Sequence, residues 1–133
     1  MSNDYLINIV EILRKNLDHL DAIILFGSRA RGDWRPWSDY DLLIIAEFRE
    51  KYLDRIGKIF NILKDIRIPI EPHPYTLEEA LELLRNGNPT IIDAIEEGKI
   101  LFITDRGKKL YEEFKRLRNL GLKRTKTTII IPR

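Results

Sequence analysis

The 133-residue chain has no cysteine and only two histidines. The first absence excludes disulfides and thiolate chemistry. His19 and His73 are too few and too far apart in sequence to read as a zinc site. No apolar run approaches the roughly 20 residues that a bilayer-spanning helix needs. Met1-Ser2-Asn3-Asp4 lacks the basic start and apolar stretch of a secretory signal, so a soluble, cytoplasmic protein is expected. Charge of one sign is also scarce: the net charge of +2 is too small to imply nucleic-acid binding by itself. Neither a repeat nor a linker divides the sequence. One domain over residues 1–133 is expected, with 119–133 a basic tail ending in an edge strand around Thr127–Ile131.

What is present is regular patterning. Leu6, Ile9, Val10, Leu13 and Leu17 recur at helical spacing and predict a helix over about residues 4–18. Residues 22–26 are apolar throughout, as in a strand covered on both faces. A loop over 27–38, with a short helix beginning at Ser28, leads to a second strand over 39–46. A helix over about 50–64 carries Leu53, Ile56, Ile59, Phe60 and Leu63 on one stripe. A third strand follows over 68–75, and Pro72 and Pro74 imply that it lies at an edge or leaves the sheet there. Thr76 then caps a helix ending near Arg85–Gly87, and Asn88-Pro89 opens another that Gly98 closes. A strand over 100–103 and a helix over about 105–118 complete the pattern. The fold class is α/β: a small mixed sheet with helices mainly on one face.

The chemistry concentrates in residues 25–45. An apolar strand runs into Gly27-Ser28-Arg29-Ala30-Arg31-Gly32, and the next strand opens with Asp39-Tyr40-Asp41. Alternate residues of a strand share a face, so Asp39 and Asp41 point the same way. A divalent cation relieves their repulsion, and Mg²⁺ suits oxygen ligands shared between carboxylates and phosphates. Gly27 and Ser28 offer backbone N–H groups and a hydroxyl to a triphosphate.

Gly-Ser, a spacer and Asp-x-Asp resemble the signature of the DNA polymerase β-type nucleotidyltransferase superfamily. The arginine-rich form of the loop resembles its small stand-alone branch, the minimal nucleotidyltransferases (MNT), and the likeness extends over about residues 6–103. The resemblance implies a palm-like fold and two Mg²⁺ ions, replaceable by Mn²⁺. It further implies that Asp39 and Asp41 ligate both ions, and that a third carboxylate ligates one of them and helps deprotonate the attacking hydroxyl. Glu71 is the best candidate, although the family usually has aspartate there; Asp65, in a charged loop before the strand, ranks below it. Gly27, Ser28, Arg29 and Arg31 would bind the nucleotide.

The expected activity moves a nucleoside monophosphate, AMP from ATP, to a hydroxyl of a protein or small molecule and releases pyrophosphate. The alternative is a binding module or antitoxin that pairs with a small helical HEPN-type partner, with little or no catalysis. Expected partners are the nucleoside triphosphate and a HEPN-type protein, with self-association left open and neither membrane nor nucleic acid. Trp34 and Trp37 read as loop packing more readily than as base-stacking residues. His73 shares a face with Glu71 and Tyr75, and a surface histidine is the favoured reading over a role near the metals. Lys115, Arg116, Arg118, Lys123, Arg124 and Lys126 read as a solvated basic face.

Overall fold

The computed structural model describes residues 2–125 and 128–132. Its elements are α1 (Ser2–Asn16), β1 (Ala22–Phe26), α2 (Ser28–Arg31), β2 (Tyr40–Ile45), α3 (Tyr52–Ile62), β3 (Ile70–Tyr75), α4 (Leu77–Arg85), α5 (Pro89–Glu97), β4 (Lys99–Ile103), α6 (Lys109–Asn119), β5 (Lys123–Arg124) and β6 (Ile129–Ile130). Four strands form a mixed sheet in the order β3-β2-β1-β4. β1 is antiparallel to β2 and β4, while β2 and β3 are parallel. Among the described residues, no helix is long and apolar enough to cross a membrane.

The two central strands explain the layering. Every residue of β1 is buried, so both faces must be covered. Ala22, Ile24, Phe26, Leu43 and Ile45 meet Leu77, Ala80 and Leu84 of α4, Ile91 and Ile95 of α5, and Leu110 and Leu117 of α6. Ile23, Leu25, Leu42 and Ile44 meet Ile9 and Leu13 of α1, Ala30 of α2 and Ile59 of α3. The mixed α/β architecture is the expected one, but helices mainly on one face is corrected to helices on both. Alternating residues of an all-apolar strand generate two cores.

The stripe expected on α3 is likewise rotated. Leu53 and Phe60 are 78% and 50% exposed, whereas Ile59 and Leu63 are buried. Arg55 takes the inward position instead, at 7% exposure. Its guanidinium donates to both oxygens of Glu79 at 2.6 and 3.1 Å and to the Glu50 carbonyl at 2.8 Å. Glu79 also accepts from the Thr76 N–H while the Thr76 hydroxyl accepts from the Glu79 N–H, closing a capping box at the start of α4. One buried cation thus ties α3 to the strand–helix corner that follows β3.

β3 lies at the edge of the sheet, as its prolines require. The Tyr40 N–H donates to the Pro69 carbonyl and the Ala46 N–H to the Tyr75 carbonyl. Odd-numbered residues of β3 therefore turn their backbone groups toward β2, and even-numbered ones turn theirs outward. Pro72 and Pro74 fall on the outward side, so the ladder loses no donor.

The tail forms a small antiparallel pair, β5 with β6, rather than joining the main sheet. Leu122 and Ile129 pack on the α4–α6 core, and a Cβ at Gly87 would come within 2.7 Å of Ile131. Lys126 and Thr127, included in the expected basic run and edge strand, lie outside the described residues. Arg124 pairs with Asp93 and Glu96, and Arg116 with Glu113. Two arginines of the basic run are therefore paired with acids rather than simply solvated.

Candidate functional site

β1 delivers the chain to Gly27, whose φ of 74° is costly for a residue with a side chain. The backbone then closes into α2. The Gly27 carbonyl accepts from the N–H groups of Ala30 and Arg31, and buried Ala30 anchors the turn on the core. The first N–H groups of such a turn have no carbonyl of their own helix to meet. A Cβ on Gly27 would collide with the Asp41 carboxylate. Glycine is needed both for the turn and for the acid beside it.

β2 carries Asp41 next to Phe26 on one side and Glu71 on the other, because these residues are register partners in the two ladders. Asp39 lies just before β2 and is exposed. Asp41 is half-buried, and its pKa is pushed up to about 7. Burial is the largest cause, followed by the hydrogen bond and charge of Glu71 and then the charge of Asp39; Arg31 pulls weakly the other way. The site therefore concentrates negative charge that it does not itself neutralise.

Asp41, Glu71 and His73 each bring one ligand atom within 4.8 Å of the others. The His73 Nε2 lies 3.5 Å from Asp41 Oδ1. It is buried and has no hydrogen-bond partner among the described residues. Burial lowers the pKa of His73, although the Glu71 charge opposes this. The imidazole packs on Phe26, with centroids 5.1 Å apart. The reading of His73 as a surface histidine is thus corrected: its side chain is only 19% exposed. The alternation of Glu71 and His73 was a legible signal for their shared face, but the Phe26 wall came from another strand.

The other sequence candidates separate. Ser28 opens α2 beside Gly27. Arg29 turns to the opposite face of the sheet from the carboxylates. Its guanidinium donates to the Ser38 carbonyl at 3.0 and 3.2 Å and lies over the rings of Trp34 and Tyr40, 4.6 and 4.3 Å from their centroids. Arg29 therefore holds the 27–38 loop closed. Trp34 packs there while Trp37 is 76% exposed. Arg31 bridges Asp33 and Glu97 at 3.3 and 3.1 Å. Asp65 sits exposed in the turn after α3, outside the cluster. A cleft of about 820 Å³ between Tyr52, Tyr75 and Leu83 lies toward the far end of β3 and not over these acids.

The residues fit a divalent cation. A carboxylate whose proton affinity is raised by burial and by a facing acid is relieved by a cation, and an orphaned imidazole nitrogen is a lone pair without a donor. The Cβ-free wall at Gly27 leaves room for the Asp41 carboxylate itself. Oxygen-rich ligands next to a glycine turn at the start of a helix are the chemistry of a metal-bound phosphate.

The chain resembles known proteins in sequence and in fold. A family profile described as nucleotidyltransferase domain matches residues 6–117. A Methanocaldococcus jannaschii protein, named as a candidate protein adenylyltransferase, is 35% identical over 99 residues, 72% of this chain and 67% of its own length. A bifunctional uridylyltransferase/uridylyl-removing enzyme of Pseudomonas entomophila is 32% identical over 82 residues, 60% of this chain but only 9% of its own length. A chain in the crystal structure of a toxin–antitoxin with AMP-PNP superposes with a TM-score of 0.53 at 21% identity, covering 84% of this chain and 87% of that one. Another, from a complex of tri-AMPylated Shewanella oneidensis HEPN toxin with MNT antitoxin, gives 0.51 at 19%, covering 87% and 88%. With a family match over most of its length and the same mixed sheet, the chain belongs to the nucleotidyltransferase domain family.

Proposed function

We propose that the protein transfers AMP from ATP to a hydroxyl of a protein partner, with Asp39, Asp41 and Glu71 holding the divalent ions, Mg²⁺ or in its place Mn²⁺. The observation that carries this reading is the pairing of Asp41 with Glu71 directly beside Gly27. When bound, such ions neutralise phosphate charge and lower the pKa of an attacking hydroxyl. The chain's own residues supply the rest. The glycine turn lets phosphate oxygens approach the backbone, and the Ser28 hydroxyl donates to one of them. Arg31 contributes positive charge felt at Asp41. Glu71, more exposed than Asp41, accepts the proton of the acceptor hydroxyl as it attacks the α-phosphorus. Pyrophosphate leaves as the new phosphate ester forms. Arg29 is assigned to positioning the loop rather than to the phosphates.

A protein acceptor is supported by the adenylyltransferase name of the M. jannaschii relative and by the AMPylated HEPN toxin bound to an MNT antitoxin in a fold neighbour. A HEPN-type helical protein is accordingly the proposed partner. The test is incubation of the protein with α-phosphate-labelled ATP, Mg²⁺ and its genomic-neighbour protein. Label on a partner hydroxyl with matching pyrophosphate release, both lost in Asp41→Asn, is expected. Intact nucleotide and partner binding with no label transferred would leave a binding module and overturn the reading.

A further inference from the structure

We propose that His73 ligates the same ion as Asp41 and Glu71, and that its nitrogen makes the site favour later transition ions such as Co²⁺ and Zn²⁺ over Mg²⁺. The proposal rests on the reading of Asp41 and Glu71 as metal ligands and adds the donor that sets ion preference. Three features support it. The Nε2 atom is buried with no hydrogen-bond partner among the described residues and lies 3.5 Å from the Asp41 carboxylate. The ligand atoms of all three residues lie within 4.8 Å of one another. Donors about 2.1 Å from one ion stand about 3 to 4 Å apart, so small side-chain adjustments bring all three onto it.

The ring is also held in place. Phe26 packs against it at a tilt of 56°. Pro72 and Pro74 on either side restrict the backbone that presents it. A residue kept only to fill that space next to Phe26 has no need of a nitrogen aimed at a carboxylate. Imidazole suits late first-row ions, while an all-carboxylate site suits Mg²⁺. His73 is therefore a selector added to an oxygen site, which can hold Mg²⁺ without it.

The test uses the full chain with metal ions alone. Mn²⁺ bound to the wild-type protein is expected to show electron spin-echo modulation from a directly bound nitrogen. His73→Gln is expected to lose that signal and to lower the ratio of Co²⁺ to Mg²⁺ affinity by about tenfold. Mn²⁺ that binds, and is lost in Asp41→Asn, but shows no coupled nitrogen in the wild type would overturn the role of His73 while leaving the carboxylate site standing. Absence of any Mn²⁺ binding would overturn both. The wild-type spectrum decides the matter even if His73→Gln folds poorly.

Discussion

Gly27, directly after β1, and Asp41, on the neighbouring β2, lie so close that a methyl group on the first would take the place of the second's carboxylate. The glycine is part of the acid's environment as much as part of the turn. Gly27→Ala should therefore do two things at once. The positive φ costs about 1–2 kcal/mol with a side chain present, which lowers Tm by about 5 °C. The displaced Asp41 should also weaken binding of metal and ATP, read by calorimetry. Gly57→Ala is the control. Gly57 sits within α3 with open space around it, and alanine there should raise stability by up to about 1 kcal/mol.

The metal-free protein should become less stable as pH rises toward neutrality. Folding lifts the Asp41 pKa from the ordinary carboxylate range to about 7, chiefly through burial. The folded state thus holds a proton that the unfolded chain has released, and the contribution falls away as pH climbs through that interval. Without divalent ions, the wild-type Tm should drop more between pH 5.5 and 8 than that of Asp41→Asn. Divalent ions should narrow the gap and release protons on binding, which calorimetry in buffers of different ionisation enthalpy detects. Equal pH profiles for the two proteins would show that Asp41 is not the group responsible.

Glu71→Gln should lose most single-turnover activity yet keep much of its nucleotide affinity, because Asp39 and Asp41 remain. Asp65→Asn should be near neutral, since Asp65 is exposed in the turn after α3 and apart from the cluster. Both variants would be measured with a verified acceptor. An inactive Asp65→Asn beside a normal Glu71→Gln would require a different third carboxylate.

Arg55→Met should destabilise the fold by about 2–3 kcal/mol in urea titrations at pH 7 through lost charge-assisted hydrogen bonds. The Glu79 partner stays in contact with water, which limits the penalty on its side. The Arg55 guanidinium holds the Glu79 carboxyl below the usual range. The stability from this pair should persist above the unfolded carboxylate pKa and disappear as pH falls through the folded value. The wild-type advantage over Arg55→Met should shrink in acid by the same titration.

The strands and most helix boundaries were legible because burial writes itself into residues such as 22–26 and 42–45, where no polar residue interrupts. Glu71 was singled out through the family resemblance, and the parallel pairing that sets it beside Asp41 was not read from the sequence. Side-chain allegiance was not legible either. An arginine can face phosphate, solvent or protein with the same local pattern, and Arg29 meets Tyr40 and the Ser38 carbonyl instead of the acids' face. Arg55 was hidden for a similar reason: its burial depends on Glu79, which is distant in sequence. Helices on two faces followed from the same apolar runs that revealed the strands, but a single-face layering was read from them.

The outward placement of Pro72 and Pro74 has a consequence for company as well as for folding. An edge strand ordinarily displays N–H groups that can template another strand. On β3 two of those positions hold no donor. A second chain cannot extend the sheet there with a full ladder, so growth by strand addition is blocked beside the acids. A protein that docks on this edge must arrive with side chains or a helix, and it can leave again without unzipping a shared sheet.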